Sequence, residues 1–183
     1  MKKFFKTLVI TLLILISIPL ILALFIEGKY QVERKITIQE NHQVLFDYMK
    51  SLKNQTEYAV WQLRDPKTKH TYTGEDGTVG FIAAWESKDD EVGVGEQEIV
   101  SLYDGKRIET KLRFKVPFEA EDDAYLETIA IDTNQTLVKW GFSGEMPYPF
   151  NVMMLFMDMD EMVGKDLEIG LKNLKKISES AKN

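Results

Sequence analysis

Two hydrophobic patterns divide the chain. Residues 7–26 read TLVITLLILISIPLILALFI, twenty positions without a charge, sixteen of them Ala, Val, Ile, Leu or Phe. A helix of that length spans roughly 30 Å, the hydrocarbon thickness of a bilayer. Pro19, which would break a water-soluble helix, is tolerated in a membrane span. A cleaved signal peptide is the alternative. Its apolar core runs about 7–15 residues and ends at a small-residue site, which LALFIEG does not supply. The run is therefore read as an uncleaved anchor. Beyond it the period changes. Lys29–Ile38 predicts a strand, and Asn41 caps a helix carrying Val44, Leu45, Tyr48, Met49 and Leu52 at helical spacing. A second short helix leads to Trp61, and Asp65-Pro66 marks a turn.

Alternation then dominates. Strands are predicted at His70–Thr73, Thr78–Ser87, Val92–Leu102, Lys106–Val116, Asp122–Asp132 and Thr136–Gly144. Asp104-Gly105 is a hairpin signal between the third and fourth of these. Val79, Phe81, Ala83 and Trp85 share one face, as do Ile108, Leu112, Phe114 and Val116, and Val138, Trp140 and Phe142. Pro147-Tyr148-Pro149 ends the sheet. From Phe150 to about Glu179 a helical stripe runs through Val152, Leu155, Met159, Val163, Leu167, Leu171, Leu174 and Ile177. The expected fold class is α+β: an antiparallel sheet of about seven strands curled around one long C-terminal helix. The short helices plug one end, and an N-terminal transmembrane helix precedes the whole. Three parts follow: a basic flank at 1–6, an anchor at 7–26 and one domain at 27–183.

Composition narrows the function. The chain has 183 residues, no cysteine and a net charge of −6. The absence of cysteine excludes disulfides, thiolate metal sites and a thiol nucleophile. Three of the 23 basic residues, Lys2, Lys3 and Lys6, precede the span, so the remainder carries 20 basic against 29 acidic residues, net −9. Such a surface disfavours nucleic acid and anionic headgroups alike. The basic N-terminus favours a cytoplasmic N-terminus with the domain on the extracytoplasmic side.

Motifs for catalysis are sparse. Gly93-Val94-Gly95 lies inside a strand, where a bulge or close packing explains it better than a phosphate loop. Gly141-Phe142-Ser143-Gly144 misses the nucleophile-elbow pattern. His42 and His70 have no partner in sequence, and Asp158, Asp160 and Glu161 read as a solvated helix face. No catalytic residue, metal or cofactor is expected. The shared parities predict instead an apolar cavity between the C-terminal helix and the inward sheet face. Its expected walls are Trp61, Phe81, Trp85, Leu112, Phe114, Trp140, Phe142, Met153, Phe156 and Met157, with Glu145 as a polar contact at the rim. The cluster of methionines, Met153, Met154, Met157, Met159 and Met162, also fits ordinary core or an exposed patch near the bilayer.

The segments YQVERKITIQENHQVLFDYM, Trp61 followed by Asp65-Pro66, GEQEIVSLYDGKRIETKLRF and above all KWGFSGEMPYPFNVMMLFMDMDEMVGKDLEIGLKNLKKI carry a likeness over nearly all of 27–183. The chain resembles the START/polyketide-cyclase-like (SRPBCC) superfamily, in particular its membrane-anchored bacterial members. Where such proteins commonly carry tryptophans in the short-helix region, this chain has Gln55 and Tyr58, then Trp61. The resemblance implies a helix-grip fold and a pocket for a small hydrophobic or lipid-like ligand. Two other classes remain open: an enzyme of the polyketide cyclase or aromatase type, and a non-catalytic envelope domain whose groove takes a protein segment.

Overall fold

A computed structural model describes residues 2–180. The first element, α1 (Lys2–Ala23), touches the rest at its C-terminal end and leaves its apolar surface uncovered; it is long and apolar enough to cross a membrane. Strand β1 (Lys29–Ile38) follows, then α2 (His42–Met49), a 3-10 turn at Leu52–Asn54, and two short helices, α3 (Gln55–Tyr58) and α4 (Val60–Arg64). Asn41 starts α2 as its composition suggests, its side-chain oxygen accepting the Gln43 N–H at 2.9 Å.

The strands β2 (Lys69–Thr73), β3 (Ile82–Glu86), β4 (Val94–Tyr103), β5 (Arg107–Val116), β6 (Ala120–Ala130) and β7 (Thr136–Glu145) form a meander, and β1 pairs with β7. The result is one antiparallel seven-stranded sheet in the order β1-β7-β6-β5-β4-β3-β2, open between β1 and β2. Along β4, β5 and β6 every second side chain is buried, the signature of a sheet with one covered face. The register of β4 slips at Val94/Gly95, so the bulge expected at Gly93–Gly95 is present.

Strand β3 is shorter than the expected Thr78–Ser87. Gly77 and Gly80 adopt positive φ, 77° and 88°, and coil the chain before Ile82, which leaves Val79 exposed. Phe81 is fully buried, yet it packs on Leu52 and Ile99 in a satellite core and stacks on Tyr72.

The C-terminal helix also differs from expectation. It is broken into a 3-10 segment at Phe150–Leu155 and α5 (Met159–Ser180). Asp158 supplies the break, because its carboxylate accepts the Glu161 N–H at 3.0 Å and its carbonyl accepts the Met162 N–H at 3.0 Å. The acidic residues read as a solvated face are thus, at Asp158, a helix cap of the Asp-x-x-Glu kind. Asp160 makes a bidentate ion pair with Arg34 of β1, at 2.7 and 2.8 Å, and seats the start of α5 on the sheet edge. From there α5 crosses the sheet with Gly164, Leu167, Gly170, Leu171 and Leu174 facing inward. Leu167, Leu171 and Leu174 join Ile38, Phe46, Met49, Ile108, Leu126 and Val138 in the main core.

Candidate ligand cavity

Helix α5 packs tightly on Trp140 at Gly170. A Cβ there would stand 2.8 Å from Cζ3 of Trp140 and 3.4 Å from the Tyr58 carbonyl, so only glycine lets the helix lie this near. Toward its N-terminus α5 stays seated on β1 through Arg34, and the space opens between the helix and the inner strands. Trp61 of α4 meets Trp140 edge-on with ring centroids 5.3 Å apart, and Tyr58 does the same at 5.6 Å. These rings prop the layers open and bound a cavity of about 760 Å³. That lies within the usual range for small-molecule sites, roughly 300–1,000 Å³.

Six of the expected wall residues surround this space: Trp61, Trp85, Leu112, Phe114, Trp140 and Phe142. All three tryptophans of the chain are among them. The Trp85 indole donates to the Val92 carbonyl at 3.1 Å and packs edge-on to Phe114 at 5.8 Å. Gly95 leaves it room, since a Cβ there would meet the ring at 2.6 Å. The helix side is closed by Met162, Val163 and Ile169 of α5.

The remaining expected residues lie elsewhere. Phe81 is sealed in the satellite core described above. Met153, Phe156 and Met157 precede the break at Asp158, and that segment turns away from the sheet toward the end of α1; Phe156 is 86% exposed. Glu145 ends β7 opposite Lys29 and borders a separate, shallow depression. Val116, expected on the inward face, lies beyond the cover of α5 and is exposed.

Polar residues that the alternation concealed occupy the inward face. Gln97 is buried and lines the cavity. Its amide nitrogen donates to Thr110 Oγ1 at 3.0 Å, and that hydroxyl donates to the Ala124 carbonyl at 3.3 Å. This chain of donors fixes the amide's orientation. Gln62, also in the lining, has a buried side-chain oxygen without a partner. The charged residues of the lining sit where it opens to solvent. Arg64 bridges Glu91 at 3.1 Å and Asp166 at 3.3 Å, tying α4 to the β3–β4 loop and to α5.

Next to the cavity floor, Asp122 is buried and accepts the Tyr30 hydroxyl at 2.9 Å, while Tyr30 stacks on Phe142. Burial pushes the Asp122 carboxyl above the ordinary carboxylate range, against the Tyr30 hydrogen bond, which favours the ionised form. Burial and the neighbouring carboxylate likewise push the Tyr30 phenol up. Among the described residues no group of three metal-ligating side chains converges. A second depression, between α2 and the β4–β5 hairpin, is lined by His42, Asp104, Lys106, Arg107, Glu109 and Glu127. It is a solvated groove in which Arg107 pairs with both Glu109 and Glu127.

A seven-stranded antiparallel sheet wrapped on one long C-terminal helix, with short helices at one end, has many solved counterparts. The fold is a helix grip. A protein of Nitrosospira multiformis is similar over 81% of this chain and 96% of its own, with a TM-score of 0.60 and 13% identity. The Aha1 dimer of Colwellia psychrerythraea is similar over 84% and 99%, with a TM-score of 0.56 and 13% identity. Norcoclaurine synthase of Thalictrum flavum, solved with dopamine and hydroxybenzaldehyde, is similar over 86% and 90%, with a TM-score of 0.58 and 7% identity. At these identities the likeness is one of fold. No family model matches the chain, and no curated protein matches it.

Proposed function

We propose that residues 27–183 form a binding domain for a small hydrophobic or lipid-like molecule held between α5 and the sheet, tethered to a membrane by residues 7–26 with the basic flank 1–6 in the cytoplasm. The observation that carries the reading is the cavity itself. It is walled by aromatic and aliphatic side chains and kept open by ring-on-ring contacts that a closed core would not need. An apolar occupant would gain roughly 25 cal/mol per Å² buried, before the cost of association. The unpartnered carbonyl oxygen of Gln62 in the lining adds a preference. It accepts and does not donate, so it matches a ligand bearing a hydroxyl, amine or amide N–H and leaves a buried carboxylate unsatisfied.

The test is a native mass spectrum of the full chain released from membrane nanodiscs. A bound neutral, apolar mass that is lost on mild activation is the expected result. A spectrum of the bare chain alone, in preparations never exposed to stripping detergent, counts against it. One observation favours a second reading, that of an enzyme acting on such a molecule: Asp122, a buried carboxyl whose pKa burial raises, opposite the lining residue Leu112. Turnover of a hydrophobic substrate abolished by Asp122→Asn, with binding retained, would select that reading.

A further inference from the structure

From Met146 to Met157 the chain reads MPYPFNVMMLFM, twelve residues without a charge. The sequence leaves its methionines open between core, cavity wall and an exposed patch near the bilayer, and the structure lays the stretch on the outside. Tyr148, Phe150, Met153, Leu155 and Phe156 all face solvent, Phe150 at 62% and Phe156 at 86%. Soluble monomers rarely expose contiguous apolar patches of this kind without a partner for them.

The segment is fixed beside the end of α1. Asn151, its one buried side chain, donates its amide to the carbonyls of Ala23 and Ile26, both at 2.7 Å. These are carbonyls at and just past the C-terminal end of α1, which a helix end leaves without partners of its own. The Met146 N–H donates to the Gly28 carbonyl at 2.9 Å. A Cβ on Gly28 would stand 2.2 Å from the Met146 oxygen, so the two backbones are pressed together. The patch therefore keeps a set position against the helix and does not swing on a linker.

That placement identifies the partner. Helix α1 is about 33 Å long at 1.5 Å per residue, which brings a bilayer boundary close to Ala23. Leu24 and Phe25 are exposed at that boundary, at the end of the chain's first helix that the 150–155 segment contacts. Aromatic and thioether side chains without charges suit the headgroup–acyl boundary. Glu145 and Asp158 close the segment on both sides and limit immersion to its tips. Phe118, 81% exposed on the β5–β6 turn, stands at the same end of the sheet. A second protein copy would have to compete for this face with lipid already in contact with α1.

We infer that residues 146–157 form an interfacial seat that lies in the bilayer surface beside α1, so that the domain is docked on the membrane and not merely tethered to it. The inference rests on α1 being the anchor proposed above. The absence of cysteine makes the test direct. Ile14→Cys, Phe156→Cys and Tyr103→Cys each create one labelling site: mid-helix, in the seat, and on the hairpin at the opposite end of the sheet. Each full-length variant is labelled with bimane and placed in phosphatidylcholine vesicles, with and without a nitroxide near the acyl-chain ester or deeper in the chain. The label at position 156 is expected to lose most of its emission to the shallow nitroxide, and the label at 14 to the deeper one. The label at 103 should respond to neither. If position 14 is quenched and 156 is not, the anchor stands and the seat is overturned. If position 14 is not quenched, the anchor reading fails and takes the seat with it. If 156 is shielded from aqueous iodide yet blind to the nitroxide, another protein surface covers it, and the seat is overturned.

Discussion

The two halves of α5 face the same sheet and reach opposite outcomes. Past Gly170, Leu171 and Leu174 close on Ile38, Phe46 and Val138 with no space between the layers. Before Gly170, Leu167 still joins that core, but Met162, Val163 and Ile169, on the neighbouring side of the helix, line a cavity of about 760 Å³ with Trp85, Leu112 and Phe114. The difference comes from side-chain shape. In the closed half, branched aliphatics interlock and a glycine lets the backbones approach. In the open half, Trp61 and Trp140 meet edge-on at 5.3 Å and hold the layers apart. A helix grip can thus be packed solid along part of its helix and kept hollow along another part.

The contrast makes substitutions in the two halves unequal. Leu171, 1% exposed in the closed half, has no room to be replaced cheaply. Leu171→Ala should cost about 2–5 kcal/mol, read as a lower urea midpoint, and leave the affinity for a hydrophobic probe nearly unchanged in the folded fraction. Leu112 belongs to the cavity wall. Leu112→Ala enlarges a space that already exists, so its cost should fall at or below about 2 kcal/mol, while probe affinity changes measurably. Equal losses at the two sites would show that the halves are not different in kind.

The smallest effect is expected from Asp122, where the open half meets Tyr30. A carboxyl whose pKa is raised by folding contributes stability fully below its unfolded value, near 3.8, and loses that contribution as pH rises through the folded value. Asp122→Asn keeps an acceptor for the Tyr30 hydroxyl and removes the titration. Wild type should therefore lose stability relative to this variant as pH climbs from the ordinary carboxylate pKa toward neutrality. Melting curves of the pair across that window check the sign, and a wild type that gains on the variant as pH rises would refute the assignment.

Most of the fold was legible from local rules. Period-2 alternation marks β4 to β7, Asp104-Gly105 the hairpin, Asn41 the cap of α2, and the leucine stripe the inward face of α5. Three features were not. The helix period continues through Met153 and Phe156, and periodicity cannot tell whether a helical face meets a sheet or leaves it. The signal that could have broken the helix, Asp158 followed by Glu161, also fits a solvated acidic face. The buried polar groups of the inward sheet face were hidden for a related reason. Gln97, Thr110 and Asp122 share parity with apolar inward positions, but polar types at those places read as interruptions of the alternation. Phe81 keeps the right parity yet contacts Leu52, because which inward residue meets which covering element depends on the path of the chain over the sheet.

The central claim is that the open half holds an apolar ligand. Because all three tryptophans line the cavity, energy transfer from them to an occupant reports on it directly. N-phenyl-1-naphthylamine, neutral and carrying one N–H donor, is a suitable acceptor for titration into the full-length chain. The account predicts saturable transfer from tryptophan at one probe per chain. With Ala124→Phe, which fills the cavity floor, affinity should fall about tenfold or more, some 1.4 kcal/mol, while the melting transition is retained. Saturable transfer of equal affinity in both proteins, or none in the wild type, would contradict it.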